Sequence, residues 1–261
     1  MNRNKGESGC LEGTAILLFL ILVIMLMITG SSLAYSREMK GLSLGTRRLV
    51  YPAQSRSVSM TLVNNTEQAW LAQSSVRNVD PRTGSSTLEH APFIVTPPLV
   101  RLAPGDHLPV KVIYTGHNLP DDRESVFWVS VRMIPGILSE SADSSRLNVG
   151  LINDIKLFYR PQSIQEQGGV KDASEKLTIG NNNGRLTIGN PTPFYISLGM
   201  IKVNDVNLSD AERFKMIPPR GQQEYTLSSP TDLVHRDENN VTWQAIDEIG
   251  NLTQQQSRTF K

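Results

Sequence analysis

Along most of this chain apolar and polar residues alternate with a period of two. In Ser57-Val58-Ser59-Met60-Thr61-Leu62-Val63 the apolar side chains fall on Val58, Met60 and Leu62, as in a strand with one face buried and one in water. The same reading gives strands over Gln68–Val76, Phe93–Val95, His107–Tyr114, Ser125–Ile134 and Leu147–Tyr159. Leu42–Leu44 and Leu49–Tyr51 together begin an opening strand. Asn64-Asn65-Thr66, Asp80–Ser85, Pro97-Pro98, Pro104-Gly105, Pro135-Gly136 and Pro161 supply the turns and stops between them. Proline cannot donate to a ladder, and Gly, Asn and Asp accept turn geometry. No segment carries a helical period of convincing length. About seven strands at about ten-residue spacing make one immunoglobulin-like sandwich.

The polar stretch Gln162–Lys171, with Gly168-Gly169, reads as a linker. Strand signals then resume. Leu177–Asn181 is echoed by Leu186–Asn190 across Asn182-Asn183-Gly184, which predicts two adjacent strands and a turn, not a repeat array. Phe194–Val203, Gln223–Leu227 and Val241–Ile246 add further strands. The expected fold is therefore all-β, with one sandwich over residues 35–162 and a smaller one over 163–261.

Residues 1–34 depart from this pattern. Arg3 and Lys5 precede an unbroken apolar run from Ala15 to Ile28, and small residues follow, with Ser32 and Ala34 spaced as at a cleavage site. That is the layout of a secretory signal peptide, with the mature chain starting near Tyr35. The alternative is an uncleaved anchor, although a spanning helix needs about 20 apolar residues. Cleavage removes Arg3, Lys5, Glu7 and Glu12, so the net charge stays at +1. It also removes Cys10, the only cysteine, which precedes the apolar run and so cannot be a lipid-bearing cysteine at its end. The exported chain must then hold together by core burial without disulfides.

Candidate chemistry is sparse. A net charge of +1 gives no basic excess for nucleic acid. His90, His107, His117 and His235 are scattered without metal-ligand spacing. No nucleophile elbow, P-loop or dinucleotide fingerprint is present. Asp121-Asp122 follows Pro120 and reads as turn chemistry, not as a catalytic carboxylate pair. No enzyme activity, metal or cofactor is expected.

Three segments carry a resemblance instead. They are Leu119–Trp128 running on to Met133-Ile134-Pro135, then Ile155-Lys156-Leu157-Phe158-Tyr159-Arg160-Pro161, and Asn190-Pro191-Thr192-Pro193-Phe194-Tyr195. Together, and in this order, they resemble the periplasmic pilus-assembly chaperones of the PapD-like, chaperone–usher family. Ser130 departs from the pattern, where an Asn is usual.

The resemblance implies two immunoglobulin-like domains in a boomerang with a binding cleft between them, and no ATP. It implies a mechanism of strand donation to pilin (fimbrial) subunits, which are passed to an outer-membrane usher. The donor strand would present Leu147, Val149 and Leu151 to the subunit groove, with Gly150 allowing close backbone approach. Without the resemblance the same three residues read as an ordinary core strand.

Arg48 and Lys156 would hold the subunit's C-terminal carboxylate and so fix register, with Arg47 as the alternative to Arg48. Lys156 is even-numbered and the donor residues odd, so a bulge near Asn153-Asp154 is expected to bring them onto one face. Glu124, Arg160 and Glu248 would form an interdomain ionic network, with Asp247 as the alternative to Glu248. The connection Gly136–Arg146 is short, as in the family's short-loop branch. An exposed apolar edge also suits a self-capping homodimer. The rival reading is an exported immunoglobulin-like structural or adhesive protein, such as a pilus subunit. Against it, residues Tyr35–Lys40 are too polar for a subunit's exchange strand.

Overall fold

The computed structural model describes residues 40–260, apart from 81–82, 84, 117–118, 137–148, 183 and 228–237. The segment 1–34 expected to be a signal peptide, Leu147 and most of the Gly136–Arg146 connection lie outside the described residues.

The opening strand of the sequence divides in two. β1 (Gly41–Leu44) joins one sheet and β2 (Arg48–Pro52) the other. The crossing falls at Gly45, whose amide donates to the Thr61 carbonyl at 2.8 Å. Next to it, the Thr46 hydroxyl donates to the Arg48 carbonyl at 2.6 Å. The rest of the first domain consists of β3 (Val58–Asn65), β4 (Trp70–Val79), β5 (Ser86–His90), β6 (Phe93–Thr96), β7 (Leu99–Leu102), β8 (His107–Tyr114), β9 (Ser125–Pro135) and β10 (Leu151–Arg160). Its sheets run β1-β3-β8-β6 and β2-β10-β9-β4-β5, with β7 pairing β4 as well. β5 and β7 escape the periodicity because neither carries a clear alternation of its own.

The alternation decides the core. Met60 and Leu62 of β3 and Val110 and Val112 of β8 meet Val129, Val131 and Met133 of β9 and Leu157 of β10, all buried in one cluster between the sheets. Each such side chain contributes about 1.5–3 kcal/mol by leaving water.

The second domain begins within the predicted linker. Ile164 and Val170 are buried in its core, Ile164 on a 3₁₀ turn (Gln162–Ile164) and Val170 on α1 (Val170–Glu175). The segment is polar in composition, but these two apolar side chains suffice to tie it down. β11 (Thr178–Asn182) and β12 (Arg185–Asn190) form the predicted pair, with Gly184 at φ 79° in the turn. They are followed by β13 (Ile196–Val203), β14 (Val206–Asn207), α2 (Asp210–Arg213), β15 (Met216–Ile217), β16 (Gly221–Tyr225), β17 (Asn239–Ala245) and β18 (Gln256–Phe260). The sheets run β11-β12-β16 and β14-β13-β17-β18, with β15 also on β13. The register of β13 against β17 shifts between Leu198 and Met200. As a result Ile196 and Leu198 are buried before the shift, and Ile201 and Val203 after it.

Candidate functional site: a cationic cleft between the two sandwiches

β10 pairs on one side with β9 from Leu151 to Tyr159, without interruption. The bulge expected at Asn153-Asp154 is therefore absent, and strict alternation puts odd and even residues on opposite faces. Ile155 and Leu157 point into the first core. On the other face Phe158 packs with Val126 and with Met216 of the second domain. Lys156 shares that face, and its Nζ donates to Ser197 Oγ of the second domain at 3.0 Å. The two sets of residues do not need a common face, because each serves a different neighbour.

On its other side β10 pairs with β2 in parallel, but only from Lys156 to Arg160. Among the described residues no strand pairs with this edge between Leu151 and Ile155. The register sets Lys156 directly beside Arg48. The two cations thus stand where the open edge becomes covered. Arg48 is buried and Arg47 exposed, because neighbours on a strand point to opposite faces. Arg48 Nη1 donates to the Ile246 carbonyl at 2.8 Å, and its guanidinium lies 5.4 Å from the Phe158 ring centre. Lys156 Nζ lies 5.9 Å from the Trp128 ring centre.

Neither cation forms an ion pair among the described residues. Burial, and then the Arg48 charge, bring the Lys156 ammonium down to about 7. Burial also lowers Arg48, against the opposing charges of Asp247, Glu248 and Glu124. Two cations side by side without an ion pair, Arg48 buried and Lys156 half-buried, are costly, and an incoming anion would relieve the cost. A cavity of about 390 Å3 opens on them, between β2, β9 and β10 on one side and β13, α2 and Ile246 on the other.

The predicted donor residues are less fully described. Val149 is 57% exposed and Leu151 44%, which is unusual for large apolar side chains at a strand start. Val149 and Gly150 precede β10 rather than belonging to it. A Cβ at Gly150 would lie 3.4 Å from the Met133 carbonyl oxygen, an ordinary contact, so the expected role of glycine in a close approach is not required on the β9 side.

Glu124, Arg160 and Glu248 meet behind the cleft. Arg160 Nη2 lies 2.8 Å from Glu124 Oε1 and 3.0 Å from Glu248 Oε1. Glu124 Oε2 accepts from the Tyr195 amide at 2.8 Å, and Glu248 Oε1 from the Val170 amide at 2.9 Å. The Arg160 guanidinium also sits 4.7 Å from the Phe194 ring centre. Burial raises the Glu124 carboxyl above its usual range despite Arg160. For Glu248 burial is again the largest single influence and acts upward, but the Val170 amide and Arg160 together outweigh it and hold the group low. Asp247 instead closes its own turn, accepting from the Ile249 and Asn251 amides.

Sequence reasoning missed Ser197, the Ile246 carbonyl and the wall that includes Phe214. Ser197 follows the Asn190–Tyr195 motif by two residues, but nothing local marks it as facing a lysine 41 residues away.

Comparison with known proteins gives a consistent result. Residues 41–165 match the family model of the pili and flagellar-assembly chaperone PapD N-terminal domain, and residues 172–257 that of the PapD C-terminal domain. The chain is 31% identical over 254 residues to the chaperone protein FimC of Escherichia coli O6:H1, covering 97% of this chain and 96% of that protein. The Salmonella enterica chaperone SafB, solved in complex with the pilin SafA, superposes with a TM-score of 0.71 at 26% identity, over 85% of this chain and 97% of that one. The periplasmic chaperone SfaE gives a TM-score of 0.63 at 28% identity, over 85% and 100% of the two chains.

Proposed function

This chain belongs to the PapD family of pilus-assembly chaperones, and from that premise we propose that it captures pilin subunits in the periplasm by completing their fold with β10 and hands them to an outer-membrane usher. The observation that carries the reading is the juxtaposition at one point of β10: an open, apolar strand edge ends where two cations, Arg48 buried and Lys156 half-buried, lack a carboxylate among the described residues.

The physical sequence follows from that point. A subunit's C-terminal carboxylate enters the cleft and takes charge-assisted hydrogen bonds from Arg48 and Lys156. A chain that ends at Lys156 and lies along Leu151–Ile155 must run in the direction of β10, so the pairing is parallel. Its backbone joins the open edge, while Val149 and Leu151, with Leu147 ahead of them, fill the subunit's groove. Register is fixed at the carboxylate, since a slip of one residue would turn every apolar side chain out of the groove. Glu124, Arg160 and Glu248 keep the cleft at a constant width. The apolar run before Tyr35 directs export, and a second copy can cap the free edge until a subunit arrives.

The test is co-expression of the chain, tagged at its C-terminus, with a pilin, followed by recovery from the periplasm. We expect a one-to-one complex that is lost on Lys156→Ala while the fold is retained by circular dichroism. Wild-type recovery with that variant would sink the anchor assignment.

A further inference from the structure

The cleft has a second wall for which the carboxylate anchor has no use. Gly199, Ile246 and Phe214 line the cavity opposite Lys156 and Arg48. We propose that this wall is a selectivity pocket for the side chain of the subunit's last residue, and that it favours a bulky apolar one. The inference rests on the anchor reading given above.

The geometry leads there in three steps. The carboxylate is bonded to the Cα of the terminal residue, so that residue's side chain is within a few bonds of the two cations. Arg48 already occupies the position beside Lys156, so on the strand pairing proposed the last open position on the Lys156 face is the one beside Asp154, which also lines the cavity. That face looks onto Ser197 and the second-domain wall. The cavity of about 390 Å3 lies in the range of small-ligand pockets and exceeds what a carboxylate alone occupies.

The wall itself is apolar and held in place. Phe214 is 68% exposed at the end of α2, the most exposed aromatic ring among the described residues of the cleft. Its amide donates to the Asp210 carbonyl at 3.0 Å, and Arg213 Nη1 donates to the Gly199 carbonyl at 3.2 Å, so α2 is tied to β13. The β13 irregularity falls at Gly199, where an added Cβ would collide with the Leu252 side chain and come within 3.0 Å of Ile246 Cγ1.

The charges on the rim do not oppose this use. Asp154 is paired with Arg77 at 3.1 Å and Asp210 with Arg213, which leaves Arg47, Arg48 and Lys156 in excess. A single carboxylate is favoured, and beside it an apolar group that buries the exposed ring. A charged terminal side chain would be desolvated against Phe214 and Ile246.

Synthetic strand peptides of alternating valine and threonine, with a free carboxylate and ending in Phe, Ala or Asp, test this by calorimetry on the exported protein. We expect the Phe-ended peptide to bind about tenfold more tightly than the Ala-ended one, and the Asp-ended one to bind no better than Ala. Phe214→Ala should bring the Phe-to-Ala ratio close to one and leave the Ala-ended peptide unchanged, while Phe214→Leu keeps part of the preference. Phe214 is exposed, so its replacement should leave the fold intact, as circular dichroism checks. Equal binding of Phe- and Ala-ended peptides to the wild type, or an unchanged ratio in Phe214→Ala, would overturn the pocket and leave the anchor standing. A C-terminal amide that binds as well as the acid would overturn the anchor reading itself. Failure of every peptide to bind counts against both.

Discussion

At the scale of single residues, Lys156 is placed where its charge is least comfortable, and this makes it titrate near neutrality. Burial and the neighbouring Arg48 hold it at about 7. A bound carboxylate would raise it again, so capture above pH 7 takes up a proton. Affinity for a carboxylate-ended strand should be greatest below about pH 7 and fall as pH rises, by up to about tenfold per unit. The stability of the free protein should move the other way. Between about 7 and the ordinary value of 10.5 the unfolded chain holds a proton that the folded one has released, so folding becomes more favourable as pH rises through that window. Calorimetry and urea unfolding across this range check both signs, and Lys156→Gln should flatten both curves. Affinity that does not change with pH in the wild type would show that the lysine is not at the binding point.

At the scale of elements, β10 shows two different faces and two different edges. One face belongs to the first core through Ile155 and Leu157, and the other meets the second domain through Lys156 and Phe158. One edge is fully paired by β9, the other only from Lys156 onward. Leu151 is 44% exposed, so Leu151→Glu should change the stability of the free protein by no more than about 0.5 kcal/mol. The same substitution would place an unpaired charge in a subunit groove, and recovery of the subunit complex should fall below detection. Thermal unfolding and co-purification measure the two effects separately. A normal yield of complex would exclude this strand as the donor. A second device recurs in both domains. Asn64 at the end of β3 and Asn190 at the end of β12 are both buried, and each accepts from the Thr two residues on while donating to a carbonyl four residues on. The Asn-x-Thr spacing is visible in the sequence, but the partner carbonyls of Leu102 and Pro218 are not.

At the scale of the whole molecule, the cleft exists because the sandwiches are joined by a polar network and a small apolar contact. Val126 and Phe158 meet Met216, and Arg160 joins Glu124 of the first domain to Glu248 of the second. Arg160→Ala would leave Glu124 buried with no cation, at a cost of about 3 kcal/mol or more. Glu248→Gln should cost about 1 kcal/mol, because Glu248 is less buried and the Val170 amide keeps an acceptor. Urea midpoints for both variants test the order. A midpoint for Arg160→Ala equal to the wild type would show that the network does not brace the domains.

The sequence determined what depends on neighbours along the chain. The alternation of Met60 and Leu62, or of Val129, Val131 and Met133, marks strands and their buried faces, because side chains on a strand alternate whatever lies across the sheet. Leu119–Pro135, Ile155–Pro161 and Asn190–Tyr195, taken together and in this order, were enough to suggest the family. The sequence could not separate Arg47 from Arg48 or Asp247 from Glu248, since each pair differs only in which face or turn its backbone adopts. Nor could it foresee that the opening strand divides between two sheets, that β10 runs past Asn153-Asp154 without a bulge, or that Phe214 and Ile246 close the cleft. Those features follow from pairing between segments far apart in the chain, and only the tertiary structure brings the partners together.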